Sequence, residues 1–169
     1  MIDPPNDGKI YLRRNGQWVV GGGAPYSKHY CQVYVSPTTV FAARNVWKTI
    51  PYDTVVADES SIYNSSTGVF TAAEAGIWFA GGTISTKRAT NRGFTNKTLC
   101  GMVKSNGEND YLFERYVGSL YKDDPIHWLG WLDKNETLYF RVYLGNDDLH
   151  IYGNAAGTHT AMAVYMVSS

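Results

Sequence analysis

The stretch from Ile62 to Ala80 constrains the fold of this chain more than any other part of its sequence. A polar turn ends at Thr67-Gly68, a short run carries Phe70-Thr71, and Ala75-Gly76 begins a second run that contains aromatic residues. Glycine is favoured where the backbone turns tightly, and β-branched or aromatic residues are favoured in strands. The pattern therefore predicts a strand, a tight turn, a strand, a second turn and a third strand.

The order of these residues resembles the signature of the complement globular head and tumour necrosis factor superfamily. The family pattern Thr-Gly-x-Phe-Thr, three residues, Ala-Gly-x-aromatic-aromatic is matched by Thr67–Thr71 and Ala75–Phe79, and Ala161–Val167 resembles the closing strand. One turn departs from the family, because Lys134-Asn135-Glu136 stands where Gly-Asp is usual. The resemblance, over about residues 28–169, implies an all-β antiparallel two-sheet jelly-roll sandwich that assembles as a homotrimer. An unrelated β-sandwich is the alternative fold.

Composition favours the same fold class. Charged residues make up 18% of the chain and aromatic residues 14%, with 17 glycines and 13 tyrosines. This mixture is poor in helix formers and rich in residues of strands and turns. Few charges combined with many aromatic residues also indicate a surface that is partly covered by partners.

The last strand-like run is apolar on both of its faces. One face carries Thr160, Met162, Val164 and Met166, and the other carries Ala161, Ala163, Tyr165 and Val167. A two-sheet sandwich offers a strand only one core, so the second face predicts burial against another copy of the chain. We assign the trimer interface to this second face together with Trp78. A central strand covered by a long loop is the alternative.

Residues 1–23 form a separate unit in front of a jelly-roll head at 24–169. Asn15-Gly16 separates two strand-like runs and is a strong hairpin signal, and Gly21-Gly22-Gly23 has the composition of a flexible joint. Asp7–Trp18 resembles a short module of bacteriophage tail fibres and related virion proteins, of the form Asp-Gly-Lys-x-Tyr-x-Arg-x-Asn-Gly-x-Trp. This resemblance implies a place in a phage particle. The residues assigned as the anchor to other virion proteins are Tyr11, Arg13, Asn15, Gly16 and Trp18.

Charge and hydropathy exclude several partners. The formal net charge is zero, so no overall field attracts the chain to nucleic acid or to an anionic membrane. No apolar run approaches the ~20 residues of a membrane span, and Met1–Pro5 does not resemble a signal peptide. We expect neither membrane insertion nor export by a signal of its own. The expected location is the virion, after synthesis in the host cytoplasm.

No catalytic or metal-binding pattern is recognisable. The four histidines lack metal-ligand spacing, and common nucleophile or phosphate-loop motifs are absent from the sequence. Asp123-Asp124 could be paired carboxylates, but Pro125 predicts a turn there. His159 is interpreted as a solvated turn residue, with a position facing a three-fold axis as the alternative. We expect no catalytic residue, no metal and no cofactor, and therefore no enzyme.

The two cysteines, Cys31 and Cys100, are too few for a disulfide framework. We interpret both as small buried apolar residues, because such cysteines are common in protein cores. A single bond between them stays open, since sequence separation says nothing about the distance between their Cβ atoms.

A basic segment at 85–97 is the first candidate for receptor binding. It contains four basic residues and no acidic one, lies between two strand patterns and is predicted to be an exposed loop. Three copies in a trimer would present a basic crown to phosphates or acidic sugars; an ordinary solvated loop is the alternative. The candidate receptor-binding residues are Lys87, Arg88, Arg92 and Lys97, followed by Tyr121. Trp128 and Trp131 are interpreted as core residues, with sugar stacking as the alternative.

Together these features predict a bacteriophage virion protein: a trimeric fibre knob that attaches to a bacterial surface glycan or protein. A capsid decoration or head-fibre protein with a structural role is the alternative. A secreted cytokine-like ligand ranks third. An enzymatic depolymerase ranks last because it requires clustered carboxylates.

Overall fold

A computed structural model describes residues 11–14, 17–20, 29–37, 46–88, 96–105, 109–117, 121–144, 149–157 and 159–169. The strands in these ranges are β1 (Tyr11–Arg14), β2 (Gln17–Val20), β3 (Tyr30–Tyr34), β4 (Trp47–Thr49), β5 (Thr54–Asp58), β6 (Tyr63–Asn64), β7 (Val69–Thr71), β8 (Gly76–Arg88), β9 (Asn96–Lys104), β10 (Asn109–Val117), β11 (Tyr121–Leu132), β12 (Thr137–Leu144), β13 (Leu149–Ile151) and β14 (Ala161–Ser168). No helix in the described part of the chain is long and apolar enough to cross a membrane.

Two six-stranded antiparallel sheets form the sandwich. Sheet I has the strand order β11-β8-β14-β3-β5, with β13 also paired to β8. Sheet II has the order β10-β9-β12-β7-β6, with β4 also paired to β12. Strands distant in sequence are neighbours in both sheets, as in the jelly roll that the sequence predicts.

The core lies between the two sheets and follows the alternation of side chains along each strand. On β14, Met162, Val164 and Met166 are buried, and on β12, Leu138 and Phe140 are buried, while the residues between them are only partly covered. β12 therefore alternates between core and surface. Trp78 is the largest fully buried side chain of the described residues.

The turn between β6 and β7 shows why the Ile62–Ala80 pattern is informative. The carbonyl of Asn64 accepts a hydrogen bond from the amide of Gly68 at 2.8 Å, and its side-chain oxygen accepts one from the amide of Ser66 at 3.0 Å. Gly68 has a φ of 73°, and a Cβ there would lie 2.7 Å from the carbonyl oxygen of Ile50. Only glycine fits both requirements, so the predicted turn is confirmed.

The predicted turn at Pro125 is wrong. Asp123, Asp124 and Pro125 lie inside β11, where they pair with residues of β8. Proline is tolerated here because β11 is the outermost strand of sheet I, and one side of an edge strand needs no backbone N–H. Neighbouring strand residues point to opposite faces; accordingly, Asp123 is exposed and Asp124 is buried.

The N-terminal strands β1 and β2 pair antiparallel, with Tyr11 opposite Val20 and Arg14 opposite Gln17. This register agrees with the predicted hairpin. Asn15-Gly16 and the joint at Gly21-Gly22-Gly23 lie outside the described residues.

Candidate functional site

The outer face of sheet I, which points away from the core, is the candidate functional surface. On β14 it carries Ala161, Ala163 and Tyr165, which are partly buried, and Val167, which is 52% exposed. The second apolar face predicted for this strand therefore exists. In the single chain it is only partly covered.

A row of large side chains crosses four strands of this face. Leu129 lies opposite Phe79, Phe79 opposite Tyr165, and Tyr165 opposite Tyr30. The rings of Phe79 and Tyr165 are 5.1 Å apart, a normal distance for a packed aromatic pair. At the outer end of the row, Leu129 is 63% exposed.

A second row lies beside the first. Trp131 is opposite Ile77, and Ile77 is opposite Ser168, next to Val167. Trp131 is 52% exposed, and its indole nitrogen donates a hydrogen bond to Asp133 at 2.9 Å. The interpretation of Trp131 as a core residue is therefore wrong. Trp128 is partly buried and packs against the core.

Small residues keep this face flat. Gly81 lies opposite Ala163, and a Cβ at Gly81 would lie only 2.4 Å from Cε1 of Phe79. The Phe79 ring therefore lies over the backbone at Gly81 instead of standing away from the sheet. Rings that lie along a sheet leave a smooth apolar surface that a similar surface can cover.

The far end of the same face is polar. Ser85 donates a hydrogen bond to Asp123, and Nδ1 of His159 lies 3.5 Å from the same carboxylate oxygen. The ring of Tyr152 lies 4.8 Å from that of His159 and 5.2 Å from Nζ of Lys87. His159 is therefore a partly exposed member of a side-chain cluster. The cluster lacks the geometry of a catalytic triad, because Ser85 and His159 contact one carboxylate and not each other.

Trp78 does not belong to the outer face, and its assignment to a trimer interface is wrong. Its side chain is 1% exposed, because Trp78 points to the core while its neighbours Ile77 and Phe79 point outward. The His29 ring stacks on it at 5.9 Å, and its indole nitrogen donates to the carbonyl of Glu74 at 3.3 Å. A residue so enclosed by its own chain has almost no surface for a partner.

The sequence interpretation missed most of the outward residues of the site: Tyr30, Ile77, Phe79 and Leu129. Strict alternation around Trp78 was the signal that could have identified two of them. The other two could be found only from the pairing of distant strands.

The predicted basic loop is shorter than 85–97. Lys87 and Arg88 belong to the end of β8, and Lys97 belongs to the start of β9, while Arg92 lies outside the described residues. Tyr121 pairs with Lys87 across β11 and β8, so the structure brings these two candidate positions together. Lys87 itself is partly buried.

Both cysteines are free and buried, which confirms their interpretation as small core residues. Burial, with a smaller contribution from the nearby charge of Asp58, raises the pKa of the Cys31 thiol to about 12. Burial also raises the pKa of Cys100 well above its ordinary value, with a smaller contribution from Asp124. Neither thiol is a nucleophile at neutral pH, because the reactive form is the thiolate. In the described part of the chain, no group of three His, Cys, Asp or Glu residues could hold a metal ion.

Comparison with solved structures supports the architecture. The globular domain of zebrafish complement 1qA superposes with a TM-score of 0.53 at 9% identity, over 82% of this chain and 96% of that domain. Murine APRIL superposes with a TM-score of 0.54 at 11% identity, over 81% of this chain and 98% of that protein. No family model matches the sequence, and no curated protein matches it either. At these identities the likeness concerns the fold alone, and it confirms the predicted jelly roll of the complement globular head and tumour necrosis factor type.

Proposed function

We propose that this chain is a non-enzymatic binding protein that acts as a homotrimer, with the outer face of sheet I as the surface between subunits. One observation carries the proposal: an apolar face that runs in register across four strands, from Leu129 to Tyr30, and that its own chain leaves partly open. Contiguous exposed apolar surface of this kind is typical of interaction sites.

The chemistry of the face suits a second copy of the same face. It is flat, it combines aromatic with small residues, and charged side chains are concentrated at one end around Asp123. Burying apolar surface contributes about 25 cal/mol per Å², so a standard interface of roughly 800 Å² per partner gives a stable complex. The fold likeness to zebrafish complement 1qA and murine APRIL agrees with an oligomeric binding head.

Light scattering of the purified protein tests the assembly. We expect a trimer for the wild type at micromolar concentration and a monomer for Tyr165→Asp and Ala163→Glu, because each places an unpartnered charge in the interface. Tyr139→Asp is the matched control, since Tyr139 is a partly buried tyrosine on the outer face of sheet II. A monomeric wild type, or a trimer that survives both substitutions, contradicts the proposal.

We further propose that the trimer is a knob of a bacteriophage particle that attaches to the host. The support is the hairpin sequence Asp7–Trp18, which resembles a virion module, and the basic candidates Lys87, Arg88, Arg92 and Lys97, which fall within the segment 85–97 that contains no acidic residue. Adsorption of the isolated trimer to bacterial cells is the test. Serine at all four basic positions should reduce adsorption without changing the trimer, and added salt should reduce it in the wild type because salt screens exposed charges.

Two other functions compete with attachment. A capsid decoration protein would bind phage capsids through residues 1–23 and would not adsorb to cells. A secreted cytokine-like ligand, which the likeness to murine APRIL supports equally, would do neither. Binding assays with capsids and with cells, using the chain with and without residues 1–23, separate the three functions.

A further inference from the structure

The outer face of sheet II carries a cation, Arg141, that no acid among the described side chains neutralises. Arg141 lies in β12, and its guanidinium carbon lies 4.5 Å from the centre of the Trp47 ring. Its Nε is enclosed and makes no hydrogen bond, and within the described ranges no carboxylate pairs with this guanidinium. Arg141 as a whole is only partly buried, so part of its side chain reaches the surface.

The paired strands place no acidic residue of the described part of the chain directly opposite Arg141. Its neighbours across the sheet are Gly101 on β9, which has no side chain, and Thr49 on β4, which has only a hydroxyl. Along β12 its neighbours on the same face are Tyr139 and Tyr143. The cation therefore lies among hydroxyl groups and aromatic rings.

Trp47 holds the guanidinium in place. The Trp47 ring packs against the cation on one side and lies 5.8 Å from the Tyr143 ring, so the two rings and the guanidinium form one cluster. A cation over an indole ring is attracted to it, and this fixes the planar fork of the guanidinium before any ligand arrives. A preorganised fork binds a carboxylate or phosphate with less loss of conformational entropy.

We propose that Arg141, Trp47 and Tyr143 form a binding site for an acidic sugar. The guanidinium binds the anionic group of the sugar, an aromatic ring packs against the apolar face of the sugar ring, and Thr49 and Tyr139, which lie on the same face of the sheet, supply hydroxyls for its hydroxyl groups. The site lies on the opposite face of the sandwich from the proposed trimer interface and does not depend on it.

The strand pairing favours a sugar over an acidic peptide. At Arg141, β12 is paired on one side with β9 and on the other with β4. The backbone groups of β12 at this position are therefore already used in the sheet, and an extended peptide could not add beside β12 as a further strand. A ligand that interacts with side chains alone, through an anion, hydroxyls and a ring, matches what the face offers.

Titration of the full chain with a hexamer of galacturonic acid tests this proposal, with neutral maltohexaose and hexaglutamate as comparison probes. We expect binding of the acidic sugar, weaker binding of both comparison probes, and a change in the fluorescence of Trp47. Arg141→Gln should lower the affinity about tenfold or more, as expected for the loss of a charge-assisted hydrogen bond. Trp47→Leu should also weaken binding.

Two further variants separate a binding role from a structural one. Lys48→Gln removes the same charge one residue from Trp47 and should bind like the wild type. Arg141→Lys keeps the charge but loses the planar fork, so its affinity should lie between those of the wild type and Arg141→Gln. Nuclear magnetic resonance of the wild type adds a readout that needs no variant, because the Nε–H signal of Arg141 should shift when the acidic sugar binds.

The proposal is overturned if the wild type does not bind the hexamer, if Arg141→Gln binds as well as the wild type, or if hexaglutamate binds equally well. Light scattering on the same samples keeps this result separate from the proposed function. A trimer without sugar binding overturns only the Arg141 site, and sugar binding by a monomer overturns only the trimer.

Discussion

The two sheets share one core, but their outer faces differ in kind. The face of sheet I is apolar and flat, with Phe79 lying over Gly81 and exposed Leu129 and Trp131 at its edge. Among the described side chains, the face of sheet II has tyrosines and one arginine, Arg141, which stacks on Trp47. A flat apolar face can be stabilised only by another apolar surface, whereas a polar aromatic face is stable in water and can bind small polar molecules. The same sandwich can thus assemble through one face and bind through the other.

The largest effect is expected from a substitution in the core that both faces share. Trp78→Ala should destabilise the fold by about 3–5 kcal/mol, because it removes the largest buried side chain. Urea unfolding followed by circular dichroism measures this loss. If Trp78 were an interface residue, the variant would instead be a stable monomer with an unchanged unfolding midpoint at high dilution.

Flatness of the sheet I face provides a second test. Gly81→Ala places a methyl group where the Phe79 ring lies, so the ring must move outward. We expect the trimer to weaken about tenfold, roughly 1.4 kcal/mol, while the isolated subunit stays folded. Sedimentation at several concentrations measures the dissociation midpoint. An unchanged midpoint would mean that the contact does not require a flat face.

The smallest expected effect concerns one cysteine in each sheet. Cys31 in sheet I and Cys100 in sheet II both have a pKa raised above the ordinary value of 9.0. A thiol that ionises less readily in the folded state stabilises the fold fully below pH 9, and this contribution is lost as the pH rises from 9 towards 12. Stability of the wild type should therefore decline in mild alkali.

Alanine at either cysteine should make that decline shallower, and by about the same amount, because both thiols stay protonated in the folded state across this pH range. Denaturant unfolding between pH 8 and 10.5 would measure both slopes. Equal slopes for the wild type and both variants would show that these thiols do not control alkaline stability.

The sequence predicted the parts of the fold that depend on local signals. Gly68 marks a turn because its backbone conformation excludes other residues. The two apolar faces of β14 are visible in the sequence because successive strand residues point to opposite sides. The turn predicted at Pro125 is wrong because an edge strand tolerates proline. Whether β11 is an edge strand is a property of the whole sheet and not of the local sequence. Arg141 and Trp47 could not be connected from sequence, since only the pairing of β12 with β4 brings them together.

The hydrogen bond from the amide of Met166 to the carbonyl of His29, at 3.1 Å, gives the head a direction. The chain enters the sandwich beside the end of its final strand, so both ends of the head emerge at one pole, next to Ile77. Lys87 and Asp123 lie near the other end of sheet I, ten residues further along β8, or roughly 33 Å at about 3.3 Å per residue. Any support joined at either end therefore holds the head from one pole and leaves the opposite pole facing outward, with three parallel copies of it in the proposed trimer.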